Sequence, residues 1–307
     1  MNTKTLLFGH IMAVVTILIW GNTFVSTKVL LETYGLTSFQ ILFYRFLLAY
    51  IVLLVIHPHF RKPSQLKEEM LFLLAGFMGV TLYQLTENIA LEYANASNVG
   101  VIVSLSPIFT AIGIHLFDKG EKSEKMTRMF VVGFCVAIFG TILVMFHEEF
   151  VLEINILGDF LALLAAILWG GYSVVLKKII DKGHHVFYYT RKTFFYALLT
   201  MAPLMFFMPL QPEAAWLANG GILFNLAFLG IGGSALGFVT WSKAVDNLGA
   251  IKSAPYIYLI PIVTIVTAVI VLREAVTPLL VGGCALVLAG VYISDRKKCS
   301  YAATNHD

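Results

Sequence analysis

Residues 9–21 read GHIMAVVTILIWG, and residues 158–170 read GDFLALLAAILWG. In both stretches a glycine precedes a Trp-Gly pair by eleven residues, with an apolar run between them. The correspondence continues at an offset of 154 residues, where Ala-Leu-Glu-Tyr at 90–93 matches Ala-Val-Asp-Asn at 244–247. The chain is therefore predicted to contain the same unit twice.

Apolar segments long enough to cross a bilayer occur throughout the chain. Of the 307 residues, 59% are hydrophobic and 13% are charged, and the mean hydropathy is +0.84. This composition excludes an ordinary soluble domain, and only helices of about twenty residues satisfy the backbone of such segments in lipid. The sequence predicts an all-α polytopic membrane protein with ten transmembrane helices, at 8–28, 37–56, 70–91, 97–117, 128–147, 156–176, 185–208, 220–241, 250–271 and 278–295.

Five of these segments belong to each copy of the repeat. The predicted division is repeat 1 at 8–147, repeat 2 at 156–295 and a cytoplasmic tail at 296–307. Because five is odd, the second copy lies inverted in the bilayer relative to the first. Pro107 and Pro261 interrupt the fourth and ninth helices at matching places, and the carbonyls that they free are predicted to line a cavity. Inverted repeats with broken helices are typical of alternating-access transporters.

Positive charge is distributed unequally between the two sets of loops. One side receives almost all of the loop lysines and arginines, whereas the other side receives Lys28 and Arg273. The positive-inside rule then predicts that both termini are cytoplasmic. These loops account for the net charge of +3, which gives no reason to expect a nucleic-acid partner. At the start of the tenth helix, Thr277-Pro278 is typical of a cap followed by the first helical position.

Polar and aromatic side chains recur on single faces of several predicted helices, as with Trp20 and Thr23 in the first. Such residues either bond to neighbouring helices or line a polar cavity, and both interpretations stay open. The candidate cavity residues on these helices are Trp20, Thr23, Ser104, Ser106, Pro107, Trp169, Tyr172, Tyr256 and Pro261.

Glu87 is the strongest single candidate for a functional residue. It lies inside the third predicted helix, where a charge is expensive unless it is paired or hydrated. Tyr83 lies one turn away, and Gln84 and Asn88 form a polar pair beside it. Its repeat counterpart is Trp241, so repeat symmetry does not explain it. We expect Glu87 to exchange a proton during transport, to bind a cationic group of the substrate, or to neutralise an arginine.

Arg45 is the candidate partner for Glu87. It lies near the middle of the second helix, and Arg191 occupies the equivalent place in the second repeat. That symmetry favours a structural role over substrate contact for Arg45. Lys192 and Lys252 are expected to extend toward the cytoplasmic interface.

Two further patterns concern metals and packing. Histidines at 57–59, 147 and 184–185 fall in loops without the ligands of a metal site, so no metal and no cofactor are predicted. Gly133 and Gly140, like Gly283 and Gly290, are spaced for close helix packing, either within the chain or between two chains of a homodimer.

The stretch Trp20-Gly21-Asn22-Thr23-Phe24 resembles the opening motif of the EamA family, within the drug/metabolite transporter superfamily. Further matching pieces, in order along residues 9–295, are 45–46, 90–97, 104–109, 168–170, 244–250, 259–262 and 273–277. The resemblance implies a carrier in the inner membrane that exports amino acids, related metabolites or drugs, although some members import. Its cavity is expected between two five-helix bundles. In the second half, Gly171 and Tyr172 stand where the first half has Asn22 and Thr23 of the motif. Glu87 and Lys252 are not part of the general family pattern.

The leading interpretation is a secondary active transporter of a small-molecule substrate, with protons as a candidate coupling ion and the lipid bilayer as its environment. Within transport, the alternative is uptake of a small solute. Outside transport, the alternatives are a membrane enzyme such as an acyltransferase and a membrane-embedded sensor or scaffold. No catalytic constellation stands out, so the chain is predicted not to be an enzyme. The sequence lacks a phosphate-binding Gly-rich loop, which argues against direct ATP-driven transport.

Overall fold

A computed structural model of the chain describes residues 3–58, 65–117, 128–144, 156–210, 216, 218–249 and 253–295. Within these ranges the protein is all-helical and contains no strand. Lys252, the histidines at 59 and 147, and the tail at 296–307 lie outside the described residues.

Helices occupy each of the ten predicted segments. Six of them, α1–α4, α6 and α8, are long and apolar enough to cross a membrane, and α5, α9 and α10 contain shorter apolar stretches. The protein is therefore a multi-pass membrane protein, whereas ten crossings and an inverted second half remain predictions. The helices are α1 (Thr3–Glu32), α2 (Ser38–Ile56), α3 (Leu66–Tyr93), α4 (Ala96–Phe117), α5 (Arg128–Val144), α6 (Ile156–Ile180), α7 (Val186–Met201), α8 (Gly220–Leu248), α9 (Ile260–Val271) and α10 (Pro278–Asp295).

The helices that contain Pro107 and Pro261 are interrupted at equivalent places. In α4 the helix ends at Val103 and restarts at Ser106, so Pro107 is the second residue of the new segment. In the second half a 3₁₀ helix, Ala254–Leu259, runs into α9, where Pro261 is again the second residue. Proline is tolerated there because the first turn of a helix needs no backbone donor.

Irregular helical turns also recur in α3 and α8. A π-helical stretch covers Phe77–Leu82 in α3, and another covers Phe228–Leu236 in α8. Gly79 and Gly233 lie in these stretches, 154 residues apart. Because a π turn accommodates an extra residue, it shifts the face that the following side chains present. Both stretches directly precede residues of the candidate site.

The glycines of α5 and α10 form a packing face within the chain. A Cβ added at Gly140 would lie 2.7 Å from the carbonyl oxygen of Gly283. A Cβ added at Gly290 would overlap the backbone of Ala137 and Gly133. The sequence predicts that these glycines pack helices closely either within the chain or between two chains, and the structure shows packing within the chain.

Charged side chains join α3 to α7 near one end of the helices. Lys192 lies 2.7 Å from Glu69, which also accepts a hydrogen bond of 2.6 Å from the Tyr196 hydroxyl. The side chain of Lys192 is 14% exposed and pairs with Glu69, and its predicted extension toward the cytoplasmic interface stays a prediction. Arg191 donates to the backbone carbonyl of His57.

Candidate functional site

A cavity lies among α1–α4 of the first half, α6 and α8 of the second half, and the junction that begins α9. It encloses about 410 Å³ of empty space, including the part that is continuous with the outside. Its lining residues are Trp20, Thr23, Phe24, Arg45, Tyr83, Gln84, Glu87, Val103, Ser106, Trp169, Phe238, Ile257 and Ile260.

Aromatic rings make up much of the cavity wall. Trp20 and Trp169, which stand at equivalent places in the two repeats, meet edge to face with ring centroids 5.1 Å apart. Phe238 packs against both, at 5.7 and 6.1 Å, and Tyr83 lies 5.0 Å from Trp169. Such rings offer an apolar surface and also a π face that attracts cations.

Glu87 is the acidic side chain among these lining residues. It is 3% exposed, and the Tyr83 hydroxyl, one turn away, donates a hydrogen bond to its carboxylate. Its other oxygen, Oε2, has no hydrogen-bond partner among the described residues. A buried carboxylate with an unpartnered oxygen is energetically unfavourable unless a proton, a cation or water occupies that position.

Arg45 is held by side chains from two other helices. Its Nε donates to the Ser234 hydroxyl at 3.0 Å, and its Nη1 donates to Gln84 Oε1 at 2.7 Å. The guanidinium is 1% exposed, and it attracts the carboxylate of Glu87 electrostatically. Arg45 therefore ties α2 to α3 and to the π stretch of α8, and it supplies the positive charge nearest to Glu87 among the lining residues.

The two cavity tryptophans differ in their hydrogen bonding. Trp20 Nε1 donates to the carbonyl of Gly233 at 2.9 Å. Trp169 Nε1 is buried and has no partner among the described residues.

Eight of the predicted site residues lie together in this cavity lining. They come from four helices of the first half and one of the second, and the structure brings them together although they span almost 150 positions. The eight are Trp20, Thr23, Arg45, Tyr83, Gln84, Glu87, Ser106 and Trp169.

Six predicted site residues lie outside this lining, and three of them use their side chains in hydrogen bonds within the protein. Asn88 donates to the carbonyl of Ser38 at 3.1 Å, and Ser104 donates to the carbonyl of its own helix at Val101. Tyr256 bonds to the ring of His10 at 2.6 Å. Their polar groups serve helix contacts, which is the usual role of such side chains.

The other three are packed behind the wall. Pro107 and Pro261 are buried, but the residues that line the cavity are those four positions earlier, Val103 and Ile257. Tyr172 packs against Trp169 with ring centroids 5.2 Å apart. The prolines therefore determine where the helices restart, and they do not themselves contact the cavity.

Sequence reasoning missed several apolar lining residues. Val103, Phe238 and Ile257 lie among apolar residues, where nothing distinguishes them from lipid-facing or packing residues, and Phe24 lies among polar residues of the Trp20–Phe24 motif that drew attention instead. For Phe238 a signal existed, because it stands at the repeat position of Gln84. Within the described ranges, no group of three or more His, Cys, Asp or Glu side chains is arranged to hold a metal ion.

Comparison with known proteins identifies the family. The model of the EamA-like transporter family matches residues 7–146 and again residues 156–294. The chain belongs to the EamA-like transporter family. An "Uncharacterized transporter" of Archaeoglobus fulgidus is 29% identical over 97% of this chain and 99% of that protein.

Two relatives carry more specific names. A "Probable terminal-alkyne amino-acid exporter" of Streptantibioticus cattleyicolor is 26% identical over 92% of each chain. A "Probable amino-acid metabolite efflux pump" of Salmonella typhimurium is 24% identical over 65% of this chain and 67% of that protein. A solved crystal structure, 18% identical, superposes with a TM-score of 0.66 over 97% of this chain and 99% of the other, which shows a shared fold. This EamA-like protein is thus a membrane transporter of a small-molecule substrate.

Proposed function

We propose that this EamA-like transporter exports amino acids or related small amphipathic metabolites by secondary active, alternating-access transport. The observation that carries the proposal is the buried cavity between the two halves of the chain, in which Glu87 keeps one carboxylate oxygen unpartnered inside aromatic walls. The names of the Streptantibioticus and Salmonella relatives support export as the direction and amino acids as the substrate class.

The chemistry of the cavity suits a molecule with an amino group on an apolar body. The carboxylate of Glu87 supplies a counter-charge for an ammonium group, and the faces of Trp20 and Trp169 add cation–π attraction. The remaining wall is apolar, which favours a hydrocarbon or aromatic side chain. Arg45 neutralises the site when it is empty, so binding of a zwitterion leaves the net charge unchanged.

The same carboxylate also accounts for coupling to protons. Arg45 balances the charge of Glu87, but the buried oxygen Oε2 still lacks a hydrogen-bond partner among the described residues, and a proton or an ammonium group supplies one. A proton and an ammonium group therefore compete for Glu87, and entry of one releases the other. That competition links export of the substrate to entry of protons down their gradient.

The conformational change is proposed to involve two inverted five-helix repeats in the inner membrane, with both termini cytoplasmic. The helix restarts before Pro107 and Pro261 and the π stretches of α3 and α8 occur at equivalent positions on both sides of the cavity. Helices are easiest to bend at such interruptions, because the regular hydrogen-bond ladder is broken there. Each half therefore has bending points beside the substrate.

An untargeted comparison of metabolites inside and outside cells tests this function. Cells that lack the protein are compared with cells that produce the wild type, Glu87→Gln, or Glu32→Gln as a control at an exposed position. We expect amino-acid-like compounds to accumulate outside only with the wild type and the control. Accumulation inside the cells would overturn the direction, and identical profiles in all strains would overturn the function.

A further inference from the structure

We propose that the cavity binds its substrate at two poles, with Glu87 holding an ammonium group and the Trp169 indole N–H donating to an acceptor such as a carboxylate on the same molecule. This inference rests on the proposed function and names the class of substrate more narrowly. It distinguishes amino acids from the amines and the carboxylic acids that share their side chains.

The indole N–H of Trp169 is a donor without an acceptor. The side chain is 4% exposed, it lines the cavity, and Nε1 has no partner among the described residues. An indole nitrogen can only donate a hydrogen bond, and burying it without an acceptor is unfavourable because it gives up the hydrogen bond that it would make with water. A substrate that places a hydrogen-bond acceptor beside Nε1 restores this hydrogen bond. The indole N–H therefore favours ligands that carry an acceptor.

Trp20, the equivalent tryptophan of the first repeat, uses its indole N–H in a structural hydrogen bond. Trp20 Nε1 donates to the carbonyl of Gly233, in the π stretch of α8. At the offset of 154 residues that relates the later parts of the two repeats, the counterpart of Gly233 is Gly79, in the π stretch of α3. Repeat symmetry alone would therefore pair Trp169 with Gly79.

One side chain accounts for the asymmetry. Three residues after Trp20 stands Thr23, whose methyl group packs on Gly233 and leaves the carbonyl accessible to the indole. Three residues after Trp169 stands Tyr172, whose ring packs so closely on Gly79 that an added Cβ would overlap it. The ring of Tyr172 contacts both Trp169 and Gly79 and so fills the space between them. The replacement of threonine by tyrosine leaves the second indole N–H free for a ligand.

Tyr83 connects the two poles. Its ring lies 5.0 Å from that of Trp169, and its hydroxyl donates to the carboxylate of Glu87. The unpartnered donor and the unpartnered acceptor thus lie around one tyrosine, in a single cavity. Only a molecule that carries both a cation and an acceptor satisfies both.

Equilibrium binding to the purified protein tests the proposal with three probes of one shape. These are L-leucine, its decarboxylated form 3-methylbutylamine, and its deaminated form 4-methylpentanoate. Wild type is expected to bind leucine about tenfold more tightly than either analogue, the ratio that loss of one hydrogen bond to a charged group gives. Trp169→Phe keeps the aromatic wall and should lower the affinity for leucine to that for the amine, while amine binding stays unchanged. Trp241→Phe, outside the lining but packed against Trp20 with ring centroids 5.5 Å apart, is the matched control and should behave as wild type.

Nuclear magnetic resonance of ¹⁵N-indole-labelled wild type keeps the test independent of any variant's folding. Of the four tryptophan indole signals, one should shift downfield with leucine and stay in place with 3-methylbutylamine. Equal weakening of leucine and amine by Trp169→Phe, no shifting indole signal, or wild type that binds none of the three probes would each overturn the two-pole proposal. Export measured in cells decides the proposed function separately.

Discussion

Glu274 gives the sharpest stability prediction, because one carboxylate from the second half caps a helix of the first. Its Oε1 accepts from the Ala96 amide at 2.8 Å, and its Oε2 accepts from the Ser97 amide at 3.2 Å and the Ser97 hydroxyl at 2.6 Å. The first amides of α4 have no partner within the helix, and the positive end of the helix dipole favours an anion there.

The expected loss follows from these three hydrogen bonds. Deleting a helix N-cap costs about 0.5–2 kcal/mol, and a charged acceptor puts Glu274→Ala at the upper end, about 2 kcal/mol of unfolding free energy. Glu274→Gln keeps one acceptor oxygen and loses the charge, so about 1 kcal/mol is expected. Titration of the purified protein from mild detergent into SDS, followed by circular dichroism, measures both values.

The matched control for Glu274 is Glu92→Ala. Glu92 accepts a single hydrogen bond of 3.3 Å from the amide of Ser38. A bond at that length is weak, and a loss below about 0.5 kcal/mol is expected. If Glu274→Ala costs no more than Glu92→Ala, the capping account of the α9–α10 connection is refuted.

Three further outcomes are expected. Gly290→Val should lower the melting temperature, because any Cβ there overlaps the backbone of α5, whereas Gly282→Val, with open space around it, should not; equal effects would contradict the packing face. Lys28→Met should lower the unfolding free energy by about 1.5–3 kcal/mol, because it removes two hydrogen bonds of 2.8 Å from the ammonium group to carbonyls at the end of α3. An unchanged unfolding titration would show that Lys28 does not stabilise that helix end. The loop at 209–219 is predicted to lie outside, so a cysteine placed at Gln211 should react in intact cells with a thiol reagent that does not cross membranes, whereas Cys299, in the predicted cytoplasmic tail, should not; the reverse pattern would overturn the orientation.

Helix positions could be predicted from the sequence because length and apolarity alone decide them. The Thr277-Pro278 pair predicts the start of the tenth helix, and α10 does begin at Pro278, with the Thr277 hydroxyl accepting from the amide of Leu280 at 3.0 Å. The repeat also indicated that Trp20 and Trp169 occupy equivalent places, and the structure brings the two rings together.

The division between lining and packing residues could not be predicted. Gln84 and Asn88 are one turn apart on α3, yet Gln84 lines the cavity and Asn88 bonds to α2. The π stretch before them rotates both side chains together, and no sequence signal marks a π turn. Which of the two reaches the cavity depends on the helix that packs at that level, and periodicity does not reveal that helix. Pairing across distant segments was equally hidden, as with Lys192 and Glu69, because periodicity carries no information about which helices become neighbours.

Glu87 is proposed to exchange a proton for substrate inside the cavity. Its direct test is uptake of an exported amino acid into proteoliposomes, measured with and without a pH gradient, for wild type and Glu87→Gln. We expect the gradient to accelerate transport by the wild type and to have no effect on Glu87→Gln, although the variant folds and inserts. A protein that is destabilised by Glu87→Gln and restored by adding Arg45→Gln would show that the pair is structural. Unchanged gradient-driven transport by a stable Glu87→Gln protein would contradict the account.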